Sequence, residues 1–274
     1  MSLGPTRRSR GTRPEAGEPL NFTLCEEKNM KSKEKHTCFR SPDDPSIKIW
    51  RYMDFTKYVA CLEKRSLYFS RSDKLDDPYE GATSHANIKL RPAVYKDSIP
   101  EKVLEQMSAF AKWNRQWTYI NCWHMNEHES AAMWKLYAQT QQAVVLQSTF
   151  ERLAGCLPDE IYVGMVNYID YETEWLPEGN AFWPYVHKRK SFEHERELRA
   201  VILEVPTPGD QILIGPPNSK LGRQVAISLT DLIEAVHVSP EAPEWFAELV
   251  VNVAAKYGFK FEIKHSVLSK TPVY

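Results

Sequence analysis

Apolar and polar positions alternate through Ile47–Met53 (IKIWRYM) with the period of a strand. Directly after it, Phe55, Tyr58, Val59 and Leu62 fall on one helical face, and Asp54 between the two suits an N-cap. Leu67–Ser70 (LYFS) reads as a second strand, followed by the polar loop RSDKLDDPYEG, where Pro78 and Gly81 mark turns. Ser98 and Glu101 have capping-box spacing ahead of a helix that carries Val103, Leu104, Met107 and Phe110. Trp117–His124 (WTYINCWH) alternates as a strand and puts Thr118, Ile120, Cys122 and His124 on one face. Asn126 is then expected as the N-cap of the next helix, with Glu129 as its reciprocal partner and Ser130, Met133, Trp134 and Tyr137 on one face. AVVLQS and IYVGMVNYI read as strands around a short helix capped by Ser148 and Glu151, and Glu197–Val205 (ELRAVILEV) reads as a strong strand. Residues 206–223 are rich in Pro and Gly and read as a loop. Glu241–Tyr257 is expected to be a helix ended by Gly258, with FKFEIKHS as the last strand. Strands and helices mix without strict βαβ alternation. This predicts an α+β fold with a mixed, largely antiparallel sheet and helices packed around it.

Composition adds limits. Residues 1–46 begin MSLGPTRRSRGTRPEAGEP, lack periodicity, and are expected to form a disordered tail ahead of a single globular domain over 47–274. A net charge of -1 argues against an overall basic field for phosphate backbones. No apolar run is long enough to span a bilayer. The five cysteines show no CxxC spacing, which speaks against a disulfide framework or zinc knuckle and for a cytoplasmic setting.

Three groups of residues carry candidate chemistry. Arg51 and Tyr52 sit inside the first strand, where an Arg needs solvent, a carboxylate or an anionic ligand. Ser70, Arg71 and Ser72 lead into Asp73, Asp76, Asp77 and Glu80, which read either as turn chemistry or as oxygen donors. Glu193, Glu195, Glu197 and Arg199 recur at period two; if the strand extends back that far, they crowd one face and perturb one another's pKa values. The alternative is a solvated edge or an ion-pair network. His124 and Ser130, at a strand exit and a helix start, are second-rank candidates that could support a site built elsewhere.

The blocks WRYMDFTKYVACLEKRSLYFSRSDKLDDPYEG, NCWHMNEHESAAMWKLYA and KRKSFEHERELRAVI, with VHVSPEAPEWFAELV and KHSVLSKTP, resemble a bacterial family catalogued only as domain of unknown function 2971. More loosely, the strand–helix–strand opening and the order Arg51, Ser70, then Glu195-Arg196-Glu197 (E-x-E) are similar to the ADP-ribosyltransferases. That resemblance implies NAD as the ligand and no metal. It gives Arg51 to the dinucleotide, Ser70 to the second strand's polar position, and Glu197 to the ribose and the oxocarbenium-like transition state. Tyr52, Arg71, Glu195, Arg199, His124 and Ser130 would line the substrate. It further implies a macromolecular or nucleic-acid acceptor and a role in a bacterial toxin or phage-defence system. Two other functions remain open. A Mg²⁺-dependent nuclease needs Asp76 or Asp77 close to Glu195 or Glu197. A non-enzymatic ligand- or peptide-binding module needs exposed Trp175 or Trp183 from YETEWLPEGNAFWPY.

Overall fold

The computed structural model describes residues 36–96, 99–138, 140–206 and 214–273. Most of the predicted tail lies outside this range. Its last part does not: Cys38 and Phe39 are buried in a cluster with Ile120, Tyr185, Val186 and Val201, and Arg40 bridges to Met165. The reason is a close approach. Gly164 lies so near Phe39 that a Cβ there would meet the Phe39 backbone at 2.9 Å.

The chain opens with β1 (Lys48–Asp54), α1 (Phe55–Lys64) and β2 (Ser66–Arg71). Asp54 caps α1 by accepting from the Lys57 amide at 2.8 Å. Two helices follow, α2 (His85–Tyr95) and α3 (Glu101–Asn114). The first was not anticipated, because Pro92 and an exposed apolar scatter blur its pattern. Ser98 lies outside the described residues, and α3 opens on Pro100 without a side-chain cap.

β3 (Thr118–Met125) leads to α4 (Ala131–Tyr137), which starts later than expected. Its cap is Ser130, which accepts from the Met133 amide, not Asn126. The Asn126 side chain turns to the His128 carbonyl instead. Glu129 is drawn away too, holding the Trp134 indole, the Ser266 hydroxyl and the Val267 amide. Next come β4 (Ala143–Thr149) and α5 (Phe150–Cys156), whose cap is Thr149, one residue past the expected Ser148. The predicted strand over 161–169 breaks at Val166 into β5 (Tyr162–Met165) and β6 (Asn167–Ile169); the latter pairs with β7 (His187–Arg189) in a separate two-stranded sheet. β8 (Glu197–Leu203), β9 (Gly222–Ala226), α6 (Leu229–Leu232), β10 (Ala235–Val238), α7 (Glu244–Lys256) and β11 (Glu262–His265) complete the order. β9 begins at Gly222, within the last residues of the stretch read as loop, and runs past it.

The architecture is α+β, with one nine-stranded sheet that is antiparallel except where β10 pairs with β11. One face carries the main core. Tyr58 and Leu62 of α1, Phe150 and Leu153 of α5, and Phe246 and Val250 of α7 pack there on Ile49, Phe69, Trp123, Leu146 and Leu198. The other face has two smaller apolar clusters, one around Ile120 and Val201 and one around Trp50 and Trp134. No helix among the described residues is long and apolar enough to cross a membrane.

Candidate functional site

The sheet forks at β3. One edge of β3 pairs with β8 along its length, from Thr118↔Leu203 to His124↔Glu197. The opposite edge is shared by two strands. β1 joins it at Ile49↔Met125 and Trp50↔His124, and β2 joins it at Ser70↔Ile120 and Arg71↔Tyr119. Between them, Asn121, Cys122 and Trp123 have neither strand as a ladder partner on that edge. β1 stays with β4 to Asp54, and β2 stays with β9 from Ser66, so both peel away from β3 at the same place.

Arg51 is the first residue of β1 past the branch point. Its register with Leu146 puts it on the main-core side. Its guanidinium sits 5.9 Å above the Trp123 ring, and Nη2 donates to the Tyr68 carbonyl at 3.2 Å. The Asn121 amide donates to the same carbonyl at 2.9 Å. Arg51 keeps part of its surface exposed, yet Nη1 is buried and has no hydrogen-bond partner among the described residues. Of the partners open to an Arg in this strand, a carboxylate is not found for Arg51 among the described residues. Burial pushes the guanidinium's pKa down.

Behind the fork, on the other face of the sheet, lies a buried ion-pair network. Arg199 donates to both Glu80 oxygens, at 2.6 and 2.7 Å, and to Glu197 at 2.9 Å. Lys188 bonds Glu195 and lies 3.5 Å from Glu197. The Tyr137 hydroxyl donates to the other Glu195 oxygen at 3.0 Å, although the Tyr137 ring is largely exposed. Burial alone would raise the Glu197 pKa, but Arg199 and Lys188 outweigh it and hold it at about 2. Glu80 moves the opposite way. Burial and the Glu197 charge push it up against the pull of Arg199. One guanidinium between two carboxylates thus keeps Glu197 ionised and leaves Glu80 the easier to protonate.

The period-two row proposed for Glu193 to Arg199 does not exist as a strand. Lys190–Glu195 forms a 3-10 turn, and Arg196 takes a left-handed φ of 40° before β8 begins. Glu193 is consequently exposed, while Glu195 enters the network from the turn. The network itself corresponds to the ion-pair alternative for this segment.

Cys122 joins the two regions. It is paired with Arg199 across β3 and β8, bonds the Glu197 carboxylate, and lies within electrostatic reach of Arg51. Burial, then the Glu197 charge, keeps its thiol protonated. Ser70 shares the Cys122 face, one diagonal step away across β2 and β3 and hence roughly 7–8 Å off in a regular ladder. Ser70 and Glu197 therefore lie on the Cys122 face, Arg51 lies on the opposite, main-core face, and no recorded bond joins the three.

The other candidates separate. Tyr52 accepts from the Ser130 amide at 2.7 Å and packs edge-on against Trp134. His124 bonds the Glu195 carbonyl through Nδ1 at 2.6 Å, with Nε2 buried and unpaired among the described residues; burial lowers its pKa. Both sit beside the network. Arg71 is remote in role, tying Asp73 to the carbonyls of Asn218 and Lys220. Sequence reasoning missed Asn121 and Trp123; the alternation in INCWH carries both, but nothing local marks the fork.

Among the described residues Asp77, Glu195 and Glu197, carboxylates that a nuclease centre needs, are engaged elsewhere. Asp77 is paired with Arg189 at 3.0 Å, and Glu195 and Glu197 are taken by Lys188 and Arg199. Among the described residues no three His, Cys, Asp or Glu side chains could share a metal ion. Trp175 and Trp183 are both half-buried, which removes the exposed aromatic platform the binding-module function required.

No family model and no curated protein matches the chain. Solved structures of Thermus sp. 2.9 DarT are similar. The complex with carba-NAD+ is 10% identical with a TM-score of 0.38, covering 83% of this chain and 98% of that one. The complex with NAD+ has 10% identity and a TM-score of 0.37, over 82% and 96%. The complex with ADP-ribosylated ssDNA has 11% identity and a TM-score of 0.36, over 84% and 98%. A likeness of this size assigns no residue and no activity.

Proposed function

We propose that the chain is an ADP-ribosyltransferase-like enzyme that takes NAD as substrate at the fork. The observation that carries this reading is the Arg51 guanidinium, held at the branch point with Nη1 buried and unpaired. A buried guanidinium nitrogen without a partner is unfavourable even on a half-buried side chain, and an anionic ligand removes that cost. Arg suits the two-oxygen edge of a phosphate, and the Trp123 ring lies 5.9 Å from the guanidinium.

NAD supplies an ADP-ribosyl group with nicotinamide as its leaving group. Arg51 would hold the pyrophosphate, and Ser70, on the Cys122 face, would meet the ribose side. Glu197 is ionised at neutral pH and supplies the negative charge that a positively charged ribosyl centre requires. In the transfer the C–N bond to nicotinamide breaks with its electron pair leaving on nicotinamide. An acceptor nucleophile then bonds the ribose carbon and gives up its proton. Glu197 is 6% exposed, so it must be uncovered for this role, and Tyr137 is the exposed residue bonded to its neighbour Glu195.

The finer parts of the reading are also proposals: membership of the family of domain of unknown function 2971, a nucleic-acid acceptor, a cytoplasmic setting, and a role in bacterial toxin or phage-defence systems. DarT from Thermus sp. 2.9 is found with NAD+ and with ADP-ribosylated ssDNA; NAD is proposed here because of the unpaired Arg51 nitrogen at the fork. The test is nicotinamide release from NAD by purified protein with a cell lysate supplying acceptors. Release is expected from the wild type and lost in both Arg51→Gln and Glu197→Gln. Equal release from wild type and Glu197→Gln would remove the carboxylate from the reaction. No release from wild type would refute the reading.

A further inference from the structure

A cavity of about 310 Å³ lies between α3, Arg91 of α2 and residues 176–185. Its walls are largely apolar, with Met107, Phe110, Leu176, Pro177, Pro184 and the ring of Tyr185 among the lining residues. Its charged lining residues already satisfy each other. Arg91 donates to Glu178 at 2.7 and 2.9 Å, and Glu178 also takes the Asn87 amide at 2.8 Å and the Tyr95 hydroxyl at 2.5 Å.

Asn114 is different. It lines the cavity, is only 3% exposed, and its Oδ1 has no hydrogen-bond partner among the described residues. A buried amide oxygen left without a partner is uncommon in folded proteins, and each case calls for a cause. An N–H donor brought by a ligand would satisfy it.

We propose that this cavity binds a neutral, flat nitrogen heterocycle of nucleobase size, which donates a hydrogen bond to Asn114. Size and charge both point this way. The volume is at the small end of the roughly 300–1,000 Å³ that ligand pockets occupy, so it suits a ring system and not a dinucleotide. A charged ligand would lose its hydration with no free counter-charge, because Arg91 and Glu178 neutralise one another. An Asn side chain presents an acceptor beside its donors, the edge that amino-bearing heterocycles complement.

The site is distinct from the fork: Arg51, Ser70, Cys122 and Glu197 are all absent from its lining. Tyr185 is the link between the two, since its carbonyl accepts from Arg199 at 2.8 Å.

Ligand-observed NMR titration of the full chain with adenine and with cytosine tests the proposal. At least one base is expected to bind. Asn114→Ala should weaken it about tenfold, near 1.4 kcal/mol. Ala111→Trp, which places an indole in the cavity, should abolish binding, and Arg51→Gln should leave it unchanged. If circular dichroism shows Ala111→Trp unfolded, Met107→Trp takes its place. The proposal is overturned if neither base binds the wild type, or if binding survives both Asn114→Ala and the cavity-filling variant. Binding lost in Arg51→Gln but kept in Asn114→Ala would put the base in the fork and overturn it equally.

Discussion

The fork and the ion-pair network lie on either side of Cys122 and treat charge in opposite ways. In the network, Arg199 has two carboxylates, Glu80 and Glu197, and Lys188 has two more contacts, to Glu195 and Glu197. In the fork, Arg51 has one carbonyl and a ring face, with no carboxylate among the described residues. The first arrangement holds the structure together, since every cation there has a built-in partner. The second leaves a partner to be supplied. A strongly perturbed pKa by itself would have selected Glu197 and Glu80. Arg199 also has a buried unpaired atom, Nε, so Arg51 is set apart by an unpaired nitrogen together with the lack of a carboxylate partner among the described residues.

The comparison can be broken most severely at Glu80. Glu80→Ala removes two charge-assisted hydrogen bonds from Arg199, which is 1% exposed and keeps Glu197 as its remaining carboxylate, and is expected to lower the unfolding free energy by ~3 kcal/mol in urea titrations. A loss below ~1 kcal/mol would mean that the network is not structural.

The next effect is acid sensitivity. The Glu197 pKa in the folded chain, about 2, lies below its ordinary 4.5. Its contribution to stability is therefore fully present above about 4.5 and is lost as pH falls toward 2. Glu80, shifted up, has the opposite sign: its contribution favours the fold at low pH and is lost as pH rises through its folded value. Glu197→Gln should be destabilised relative to wild type at pH 7, with the gap narrowing as pH drops through that window in urea midpoints. A gap independent of pH would contradict the assigned ionisation.

Smaller still is Tyr137→Phe, which removes one hydrogen bond to Glu195. It should cost ~0.5–1.5 kcal/mol in thermal unfolding. The smallest effect belongs to Arg51→Met. Exchanging an unpaired cation for an apolar side chain of similar length should shift stability by no more than ~1 kcal/mol, in either direction. A loss as large as that of Glu80→Ala would show that Arg51 has a structural partner after all.

Local patterns were legible where one segment decides its own structure. Asp54 caps α1, and ELRAVIL forms β8 as its apolar run demands. Ser130 was in view but in the wrong role: Asn126 offers the same chemistry four residues earlier, and the decisive contact, Glu129 to Ser266, spans the chain. α2 was missed because Pro92 interrupts its pattern. Glu195 and Glu197 read as one strand face because the left-handed Arg196 between them leaves no mark in composition. The fork was illegible for a deeper reason. It depends on β1 and β2 sharing one edge of β3, a long-range pairing that no spacing encodes.

The central claim is that Arg51 waits for an anionic ligand. Calorimetric titration of NAD into wild type and Arg51→Gln tests it most directly, with the unfolding midpoint of each recorded alongside. A charge-assisted phosphate contact is worth ~1.5–3 kcal/mol, so the account predicts NAD binding by the wild type and affinity about 10–100-fold weaker in the variant, at nearly unchanged stability. Equal affinity in the two proteins, or no binding by the wild type, would contradict it.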